Sequence, residues 1–323
     1  MSAENAVNKA NPNRERVVDA DKVWTTLITN TKYLSGLLTL DYSLKLAGSK
    51  YPLVALYTDS FPSEGHDALD KRRIPKKRIP FLLPSTPKDF TNDPRFYDCW
   101  SKLTPFSLVE YERVVQLDSD MLVLHNMDEL MDLPLDTREE QGKGSRVFAA
   151  SHACVCNPLN KPHYPKDWIP ENCAFTSQHS TPEKAQTEGA PCTAGLAMPN
   201  GGLQVVVPCA EVYERILTAL QSPETAKMDF ADQSLLGDLF QKRWVGIPYI
   251  YNALKTLRWK GVHDAIWRDD KVKNVHYILS PKPWDEEGID VERDERSEHN
   301  RWWWDIHLKR LPKEKSDGID DGF

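Results

Sequence analysis

The sequence predicts a mixed α/β fold in which a mostly parallel central sheet is flanked by helices. Apolar, β-branched runs at 23–29, 51–58 and 113–118 predict buried strands. Segments with helical spacing at 32–48 and 64–72 follow the first and the second of these runs. Strand and helix alternating in this order is typical of a parallel sheet covered by helices.

Local signals support the first strand–helix unit. Asn30 and Thr31 follow the first strand and are residue types that cap helices. Gly48 is a natural end for the helix. Further along the chain, the pattern predicts strands at 121–124, 146–150, 203–208 and 272–278, and helices at 101–111, 209–220, 231–240 and 302–310.

The chain divides into an arm, one domain and a tail. Residues 1–20 are polar and without periodicity, so we predict a disordered arm. Residues 21–310 are expected to form a single domain, followed by a polar tail at 311–323. Within the domain, residues 132–192 hold many prolines, cysteines and acidic residues with one convincing strand. This segment is too long for an ordinary connection and is expected to be an insert or lid loop.

Composition excludes several classes of protein. The chain has 323 residues, of which 40% are hydrophobic and 28% charged, as in globular proteins. The net charge of −7 argues against nucleic acid as the main partner. Because the chain as a whole is acidic, we expect the basic stretch 71–78 to be a solvated helix end and loop rather than a nucleic-acid patch. The absence of an 18-residue apolar run and of a secretory leader predicts a cytoplasmic protein without a transmembrane segment. The sequence leaves open whether the protein forms a homo-oligomer.

The cysteines are expected to be reduced thiols. His152, Cys154, Cys156, Cys173 and Cys192 cluster in the sequence. Zinc sites commonly have ligand pairs separated by two to four residues. Here a C-x-C pair is followed by steps of 17 and 19 residues, which argues against a structural zinc site.

The sharpest chemical signal is Asp118-Ser119-Asp120, directly after the strand RVVQL. Ligand sites in open α/β sheets form at the carboxyl ends of strands. Two carboxylates at such a bend can converge on one Mg²⁺ or Mn²⁺ ion. An isolated D-x-D is more often a plain turn, and the position after a buried strand favours a site.

Three other groups of residues are candidates for the same site. His276 on the strand VKNVHYI is either a core histidine or a third metal ligand, and Lys282 offers a charge for phosphate. The Asn200-Gly201-Gly202 segment allows positive φ and a close backbone approach to a ligand, or forms a simple tight turn. Asp232-Gln233 at a helix start serves either the helix dipole or sugar hydroxyls.

Taken in order, these motifs resemble the family-eight retaining glycosyltransferases over residues 23–310. That family includes glycogenin, bacterial lipopolysaccharide hexosyltransferases and galactinol synthases. The matching elements are T-N-x-x-Y (29–33), S-K-L (101–103), L-D-S-D (117–120), N-G-G (200–202), D-Q (232–233) and H-x5-K-P-W (276–284). The galactinol synthase subgroup is the most similar, through WSKLTPFSLVEYERVVQLDSDMLVLHNMDEL (100–130), IPYIYNALKTLRW (247–259) and WWDIH (303–307).

The resemblance implies a GT-A fold, a UDP-sugar donor and a Mn²⁺ ion, with Mg²⁺ as an alternative. It implies metal ligation by Asp118, Asp120 and His276. It implies catalytic or sugar-handling roles for Asn200, Asp232 and Gln233. The nucleotide-sugar site would comprise Leu27, Thr29, Asn30, Tyr33, Arg95, Lys102, Asp118, Ser119, Asp120, Asn200, Gly201, Gly202, Asp232, Gln233, His276 and Lys282.

The sequence departs from the family pattern at two points. Leu279 stands where the family's H-F-x-G commonly has glycine, and Phe230-Ala231 differs near D-Q.

Several functions fit the resemblance. The leading interpretation is Mn²⁺-dependent transfer of galactose from UDP-galactose to myo-inositol or another small polyol or sugar. The alternatives are glycogenin-like self-glucosylation, transfer of a hexose to a glycan or lipid, and a non-catalytic UDP-sugar sensor. Trp302–Trp304 either bind sugar or a membrane surface, or dock the last helix on the core, which aromatic burial favours.

Overall fold

Two sheets carry the architecture of the chain. The computed structural model describes residues 15–86, 88–94, 96–286, 294 and 296–323. Within these residues the larger sheet has seven strands in the order β3-β2-β1-β4-β7-β6-β8, and a smaller sheet has the order β5-β10-β9. The strands are β1 (Lys22–Ile28), β2 (Leu53–Tyr57), β3 (Lys76–Arg78), β4 (Arg113–Leu117), β5 (Met121–Val123), β6 (Phe148–Ala150), β7 (Leu203–Val206), β8 (Val245–Gly246), β9 (Ala253–Leu254) and β10 (Asn274–His276).

The first four strands of the sheet order are parallel, as the sequence predicts. β1 pairs with β2 and with β4, and β2 pairs with β3. β7 runs antiparallel to β4 and β6, while β6 and β8 are parallel. Every residue of β4 is buried, which explains why its sequence does not alternate between apolar and polar residues. The carboxyl ends of β1 and β4 therefore meet at one edge of the sheet.

Six helices flank the sheets in the described part of the chain. They are α1 (Leu34–Leu46), α2 (Ser63–Lys71), α3 (Phe96–Cys99), α4 (Ala210–Leu220), α5 (Ala231–Leu239) and α6 (Asn300–Ser316). Asn30 accepts a hydrogen bond from the amide of Lys32, so it caps the short 3₁₀ turn that leads into α1. Gly48 has φ of 72° just after α1, the left-handed conformation that glycine adopts at helix ends.

The smaller sheet positions the chain after Asp120. β5 begins one residue past Asp120 and pairs antiparallel with β10, in the register His276 to Met121. β10 also pairs with β9 in parallel. As a result, the strand that bears His276 lies beside the bend that follows β4.

Several predicted elements differ in the structure. Residues 76–78 of the basic stretch form the edge strand β3 rather than a loop, because Lys77 is buried and its ammonium contacts Glu110 at 2.9 Å. The predicted helix at 101–111 is a 3₁₀ helix over Trp100–Ser107, with Pro105 inside it. The predicted polar tail begins as helix, since α6 continues to Ser316.

The two ends of the chain lie against the domain where they are described. Residues 1–14 of the predicted arm lie outside the described residues, but Arg16 donates to the carbonyl of Glu110 at 2.6 Å. At the other end, Arg72 pairs with Glu314 and Asp321, each at 2.8 Å.

The C-terminal tryptophans dock α6 on the core. Trp303 is 1% exposed, and the indole of Trp304 donates to the carbonyl of Pro283 at 3.0 Å. This confirms the docking role favoured by the sequence. No helix among the described residues has the length and apolar character needed to cross a membrane.

Candidate active site

The bend after β4 places two aspartates at the edge of the large sheet. The amide of Asp118 donates to the carbonyl of Gly202 at 2.8 Å, which ties the bend to the loop before β7. The hydroxyl of Ser119 donates to the carbonyl of Leu27 at 2.8 Å. The central serine thus anchors the bend to β1 and leaves the flanking carboxylates facing His276.

The ligand atoms of Asp118, Asp120 and His276 lie within 4.8 Å of one another. His276 Nε2 is 3.2 Å from Asp120 Oδ1 and 3.6 Å from Asp118 Oδ2. His276 Nδ1 lies 2.8 Å from Asn252 Oδ1. An amide oxygen only accepts, so Nδ1 carries the proton and Nε2 is the nitrogen that could bind a cation held between the carboxylates. Two carboxylate oxygens and one such nitrogen suit Mn²⁺.

Two lysines neutralise the aspartates. Lys102 Nζ is 2.7 Å from the carboxylate of Asp118, and Lys282 Nζ is 2.5 Å from that of Asp120. Burial alone would raise the pKa of Asp120, but the charges of Lys282 and His276 lower that pKa well below its usual value. Burial likewise opposes the charge of Lys102, and Asp118 raises the pKa of this lysine well above its usual value. Asp120 and Lys102 therefore stay charged at neutral pH.

The Asn200-Gly201-Gly202 loop closes the site on the β7 side. Gly201 and Gly202 are required by close approach: an added Cβ would lie 2.2 Å from Asp232 Oδ2 at Gly201, and 2.3 Å from His276 Cε1 at Gly202. Neither glycine has a positive φ, so of the two properties that paired glycines allow, only the close approach is used here. The side chain of Asn200 folds back and accepts from the amide of Gly202 at 3.0 Å.

Asp232 and Gln233, in the first turn of α5, lie behind this loop. Gln233 Oε1 accepts from the amide of Gly201 at 3.3 Å. Asp232 is 3% exposed, and its Oδ2 accepts from Gln204 Nε2 at 3.2 Å. Burial raises the pKa of Asp232 to about 7, with Lys102 opposing the rise and Asp118 adding to it. This carboxyl therefore titrates near neutrality.

The end of β1 forms the opposite wall. Thr29 donates to Asp98 at 2.7 Å, and Asn30 donates to the Thr29 hydroxyl at 3.1 Å. The ring of Tyr33 packs edge-on against Trp284, with 5.9 Å between centroids. The Trp284 indole donates to the carbonyl of Lys32 at 2.9 Å. The segment that supplies Lys282 is thus docked on the turn that follows β1.

Most of these residues line one cavity of about 740 Å³. Arg95 was predicted in the same site, but it lies outside the described residues. The other predicted residues all line the cavity: Leu27, Thr29, Asn30, Tyr33, Lys102, Asp118, Ser119, Asp120, Asn200, Gly201, Gly202, Asp232, Gln233, His276 and Lys282.

The predicted insert also contributes to the cavity. Its lining residues are Ala153, Cys154, Asn157, Pro158, Leu159, Lys161, Tyr164 and Trp168. The indole of Trp168 stacks on Phe230, with 4.2 Å between centroids and 14° between ring planes. The insert is therefore a packed wall of the cavity, held beside the start of α5.

The sequence did not single out Asn252 or Asp98. Asn252 is fully buried and links His276 to Asn200, whose Oδ1 accepts from Asn252 Nδ2 at 2.9 Å. Asp98 holds Thr29 from the short helix α3. A lone asparagine in IPYIYNALKTLRW carries no spacing signal, so only the fold reveals its contact.

The departure at Leu279 has a local structural consequence. Leu279 has φ of 65°, the left-handed conformation that favours glycine. It also lines the cavity. The backbone at this position therefore takes a conformation that glycine adopts more readily than leucine.

The cysteines of the insert meet in a way that their spacing does not suggest. All six cysteines of the chain are free. Cys154, Cys156 and Cys173 lie together with His263, their ligand atoms within 4.8 Å of one another. The spacing pattern did not indicate this arrangement, because the fourth group comes from a loop far along the chain.

The chain resembles known glycosyltransferases in both sequence and structure. Galactinol synthase 1 of Solanum lycopersicum is 29% identical over 304 residues, covering 91% of this chain and 84% of the relative. Galactinol synthase 1 of Arabidopsis thaliana is 29% identical over 314 residues, covering 94% and 84%. No family model matches the chain.

Among solved structures, the glycosyltransferase GlyE of Streptococcus pneumoniae TIGR4 matches with a TM-score of 0.55 at 16% identity, covering 93% of this chain and 65% of GlyE. The galactosyltransferase LgtC in complex with donor and acceptor sugar analogs matches with a TM-score of 0.55 at 15% identity, covering 89% of this chain and 96% of LgtC. The chain has the GT-A fold of these glycosyltransferases. The expected fold class is confirmed.

Proposed function

We propose that the protein is a Mn²⁺-dependent, retaining hexosyltransferase that moves galactose from UDP-galactose to myo-inositol. The observation that carries the proposal is the cluster of Asp118, Asp120 and His276 in a large cavity at the carboxyl ends of β1 and β4. The similarity to galactinol synthases over most of both chains supports the choice of donor and acceptor.

The three side chains fit a divalent cation. The hydrogen bond from His276 Nδ1 to Asn252 fixes the tautomer that a metal ligand needs. Asp120 is held ionised, so its oxygens are available as ligands. A Mn²⁺ ion held there would stabilise the charge that develops on the departing diphosphate.

Lys102 and Lys282 are proposed to bind the diphosphate. Each now pairs with a carboxylate of the cluster, and both line the cavity. A carboxylate that binds a cation gives up part of its negative charge, so it attracts its lysine less strongly and the ammonium group can also contact phosphate oxygens. We propose that these two ammonium groups orient the diphosphate and stabilise it as it leaves.

The nucleoside is proposed to lie against the end of β1. Leu27, Thr29, Asn30 and Tyr33 all line this part of the cavity. The Tyr33 ring, edge-packed on Trp284, offers a fixed aromatic surface. Thr29 and Asn30 offer hydrogen-bonding groups on one short segment.

The donor sugar is proposed to face Asn200, Asp232 and Gln233. The carboxyl of Asp232 is buried at the cavity wall and can accept hydrogen bonds from sugar hydroxyls when ionised. Gln233 is an amide and a poor nucleophile, and its Oε1 is already bonded to Gly201. We therefore propose a front-face reaction rather than a covalent glycosyl-enzyme.

In the proposed reaction, the bond between sugar C1 and the diphosphate oxygen breaks, and its electron pair leaves with UDP. The acceptor oxygen forms the new bond to C1 from the same face. The acceptor proton passes to the departing phosphate oxygen. The products are UDP and the α-linked glycoside.

We further propose that the protein works in the cytoplasm. The six free thiols fit a reducing compartment.

Product analysis tests the proposed substrates. The purified protein is incubated with Mn²⁺, UDP-galactose and myo-inositol, with UDP-glucose as the matched donor. We expect a galactosyl-inositol from UDP-galactose alone. UDP release without this product would contradict myo-inositol as the acceptor. Hexose added to the protein itself would favour self-glucosylation. Binding of the UDP-sugar without turnover would favour a sensor.

A further inference from the structure

The insert contributes three of the four residues in a second cluster of side chains that could hold a metal ion, separate from the aspartates of the candidate active site. Cys154 and Cys156 follow β6, and Cys173 lies between two 3₁₀ turns of the insert. His263 comes from the loop between the 3₁₀ turn Lys255–Arg258 and β10. His263 Nε2 is 3.1 Å from Cys156 Sγ and 3.3 Å from Cys173 Sγ.

The geometry points to a structural zinc site formed by Cys154, Cys156, Cys173 and His263. Three thiolates and one imidazole are a common ligand set of structural zinc, which is four-coordinate and tetrahedral. With Zn–S bonds of about 2.3 Å, ligand atoms around one tetrahedral zinc lie about 3.5–3.8 Å apart. The four ligand atoms here already lie within 4.8 Å of one another, so small side-chain movements suffice.

The second ring nitrogen of His263 has a partner that can fix the tautomer required of a metal ligand. Its Nδ1 lies 2.9 Å from His179 Nε2. When His263 donates through Nδ1, its Nε2 lone pair faces the three sulfur atoms. A hydrogen bond to the second ring nitrogen orients most zinc-bound histidines. His263 is fully buried and packs edge-on against Phe175, so its position is also set by the core.

The cluster joins the insert to the part of the chain that carries the smaller sheet. Cys173 and Phe175 pack in the same apolar cluster as Tyr249, Val275 and Tyr277. Cys154 also lines the large cavity. A zinc ion would therefore crosslink the cavity wall to the body of the domain. With four protein ligands it has no open position, so its role is structural and not catalytic.

The three thiols could instead react with one another. Oxidation of two of them would remove two hydrogens, form an S–S bond, and need an external oxidant. The histidine, buried with its ring nitrogen facing the sulfurs, has no role in a disulfide and a direct one in a zinc site.

Metal analysis of the purified chain tests this inference. The untagged protein is prepared from zinc-supplemented cells under reducing conditions. Its zinc content is measured by inductively coupled plasma mass spectrometry. We expect about one zinc per chain. Cys173→Ser and His263→Gln should each lower the zinc content to less than about a tenth of an ion per chain. Cys192→Ser, which changes a cysteine outside the cluster, and Asp120→Asn, which changes the other candidate site, should keep the zinc.

Two further measurements use the wild-type chain, so they test the inference even if the variants fail to fold. Cobalt should replace the zinc and produce thiolate-to-metal charge-transfer absorption. Alkylation should modify Cys154, Cys156 and Cys173 only after a chelator is added. The inference is overturned by a zinc-free protein that shows no such cobalt absorption. An intact mass two hydrogens low, with these cysteines linked, or zinc retained in both cluster variants, would also overturn it.

Discussion

The imidazole of His276 donates from Nδ1 to the side-chain oxygen of Asn252 at 2.8 Å, and both residues are buried. The same amide donates to Asn200 at 2.9 Å. One asparagine therefore orients a candidate metal ligand on β10 and a candidate sugar contact before β7. This link couples the two halves of the cavity through side chains that are shielded from solvent.

Replacing Asn252 with alanine should weaken metal binding. Loss of the partner of a ligating histidine typically costs about 10–100-fold in metal affinity. We expect the Mn²⁺ concentration for half-maximal activity to rise by about that factor. Asn274→Ala is the matched control, because Asn274 is equally buried but bonds to Tyr251 and Met121. Both variants should lose stability, but only the first should shift the Mn²⁺ requirement, and equal shifts would contradict the link.

Gly202→Ala should remove activity by displacing His276. The added Cβ would lie 2.3 Å from His276 Cε1 and 2.7 Å from its Nδ1. We expect at least about a 100-fold loss in kcat/KM, since small displacements of a site have such effects. Gly261→Ala serves for comparison: Gly261 has φ of 77° and open space around it. That variant should lose roughly 1 kcal/mol of stability and keep its activity. Normal activity in Gly202→Ala would contradict the close packing.

Asp232→Asn should stabilise the protein at high pH. Burial raises the pKa of Asp232 from 3.8 to about 7. A raised pKa in the folded state favours folding at low pH, and that contribution is lost as the pH rises from about 4 to about 7. At pH 8 the variant should therefore be more stable than the wild type by on the order of 1–4 kcal/mol. Denaturant unfolding at pH 5 and pH 8 measures this, and a difference independent of pH would contradict the raised pKa.

Acid should loosen the C-terminal helix through His307. Its ring stacks on Trp303 at 4.5 Å, and burial, followed by the charge of Arg310, lowers its pKa from 6.5 to about 4. A lowered histidine pKa gives stability that is present above pH 6.5 and is lost as the pH falls towards 4. His307→Phe keeps the aromatic stack and removes the titration. Between pH 7 and pH 5 the wild type should lose about 1–2 kcal/mol more than the variant. Parallel losses in both proteins would contradict the assignment.

The sequence predicted the parallel half of the sheet and most of the candidate site. The strands β1, β2 and β4 are buried over nearly their whole length, so their apolar runs mark them clearly. Asp118 and Asp120 stand directly after such a run, and the fold then brings His276 to them through β10. Short motifs at strand ends are informative because the sheet itself brings those ends together.

What the sequence could not predict depends on contacts between distant segments. Lys77 looked like part of a solvated basic stretch, but its pairing with Glu110 lets residues 76–78 join the sheet. His263 lies 90 residues from Cys173, so no spacing rule connects them. Asn252 has no motif around it, and its role follows only from the two side chains that it bridges.

The central claim is that Asp118, Asp120 and His276 form the centre at which the sugar is transferred. It is tested most directly by UDP release from UDP-galactose in the presence of Mn²⁺ and myo-inositol. We expect Asp120→Asn to lose at least about 100-fold in turnover, because a stabilised leaving group is worth several kcal/mol. Asp59→Asn, at an exposed aspartate that pairs with Arg78, should match the wild type.

The melting temperature of each variant controls for folding. If Asp120→Asn unfolds because the negative charge beside Lys282 is lost, Asp118→Asn provides the same test at a more exposed carboxylate. Loss of turnover in a folded variant is the result that the account predicts. Near-normal, Mn²⁺-dependent turnover in either folded variant would contradict it.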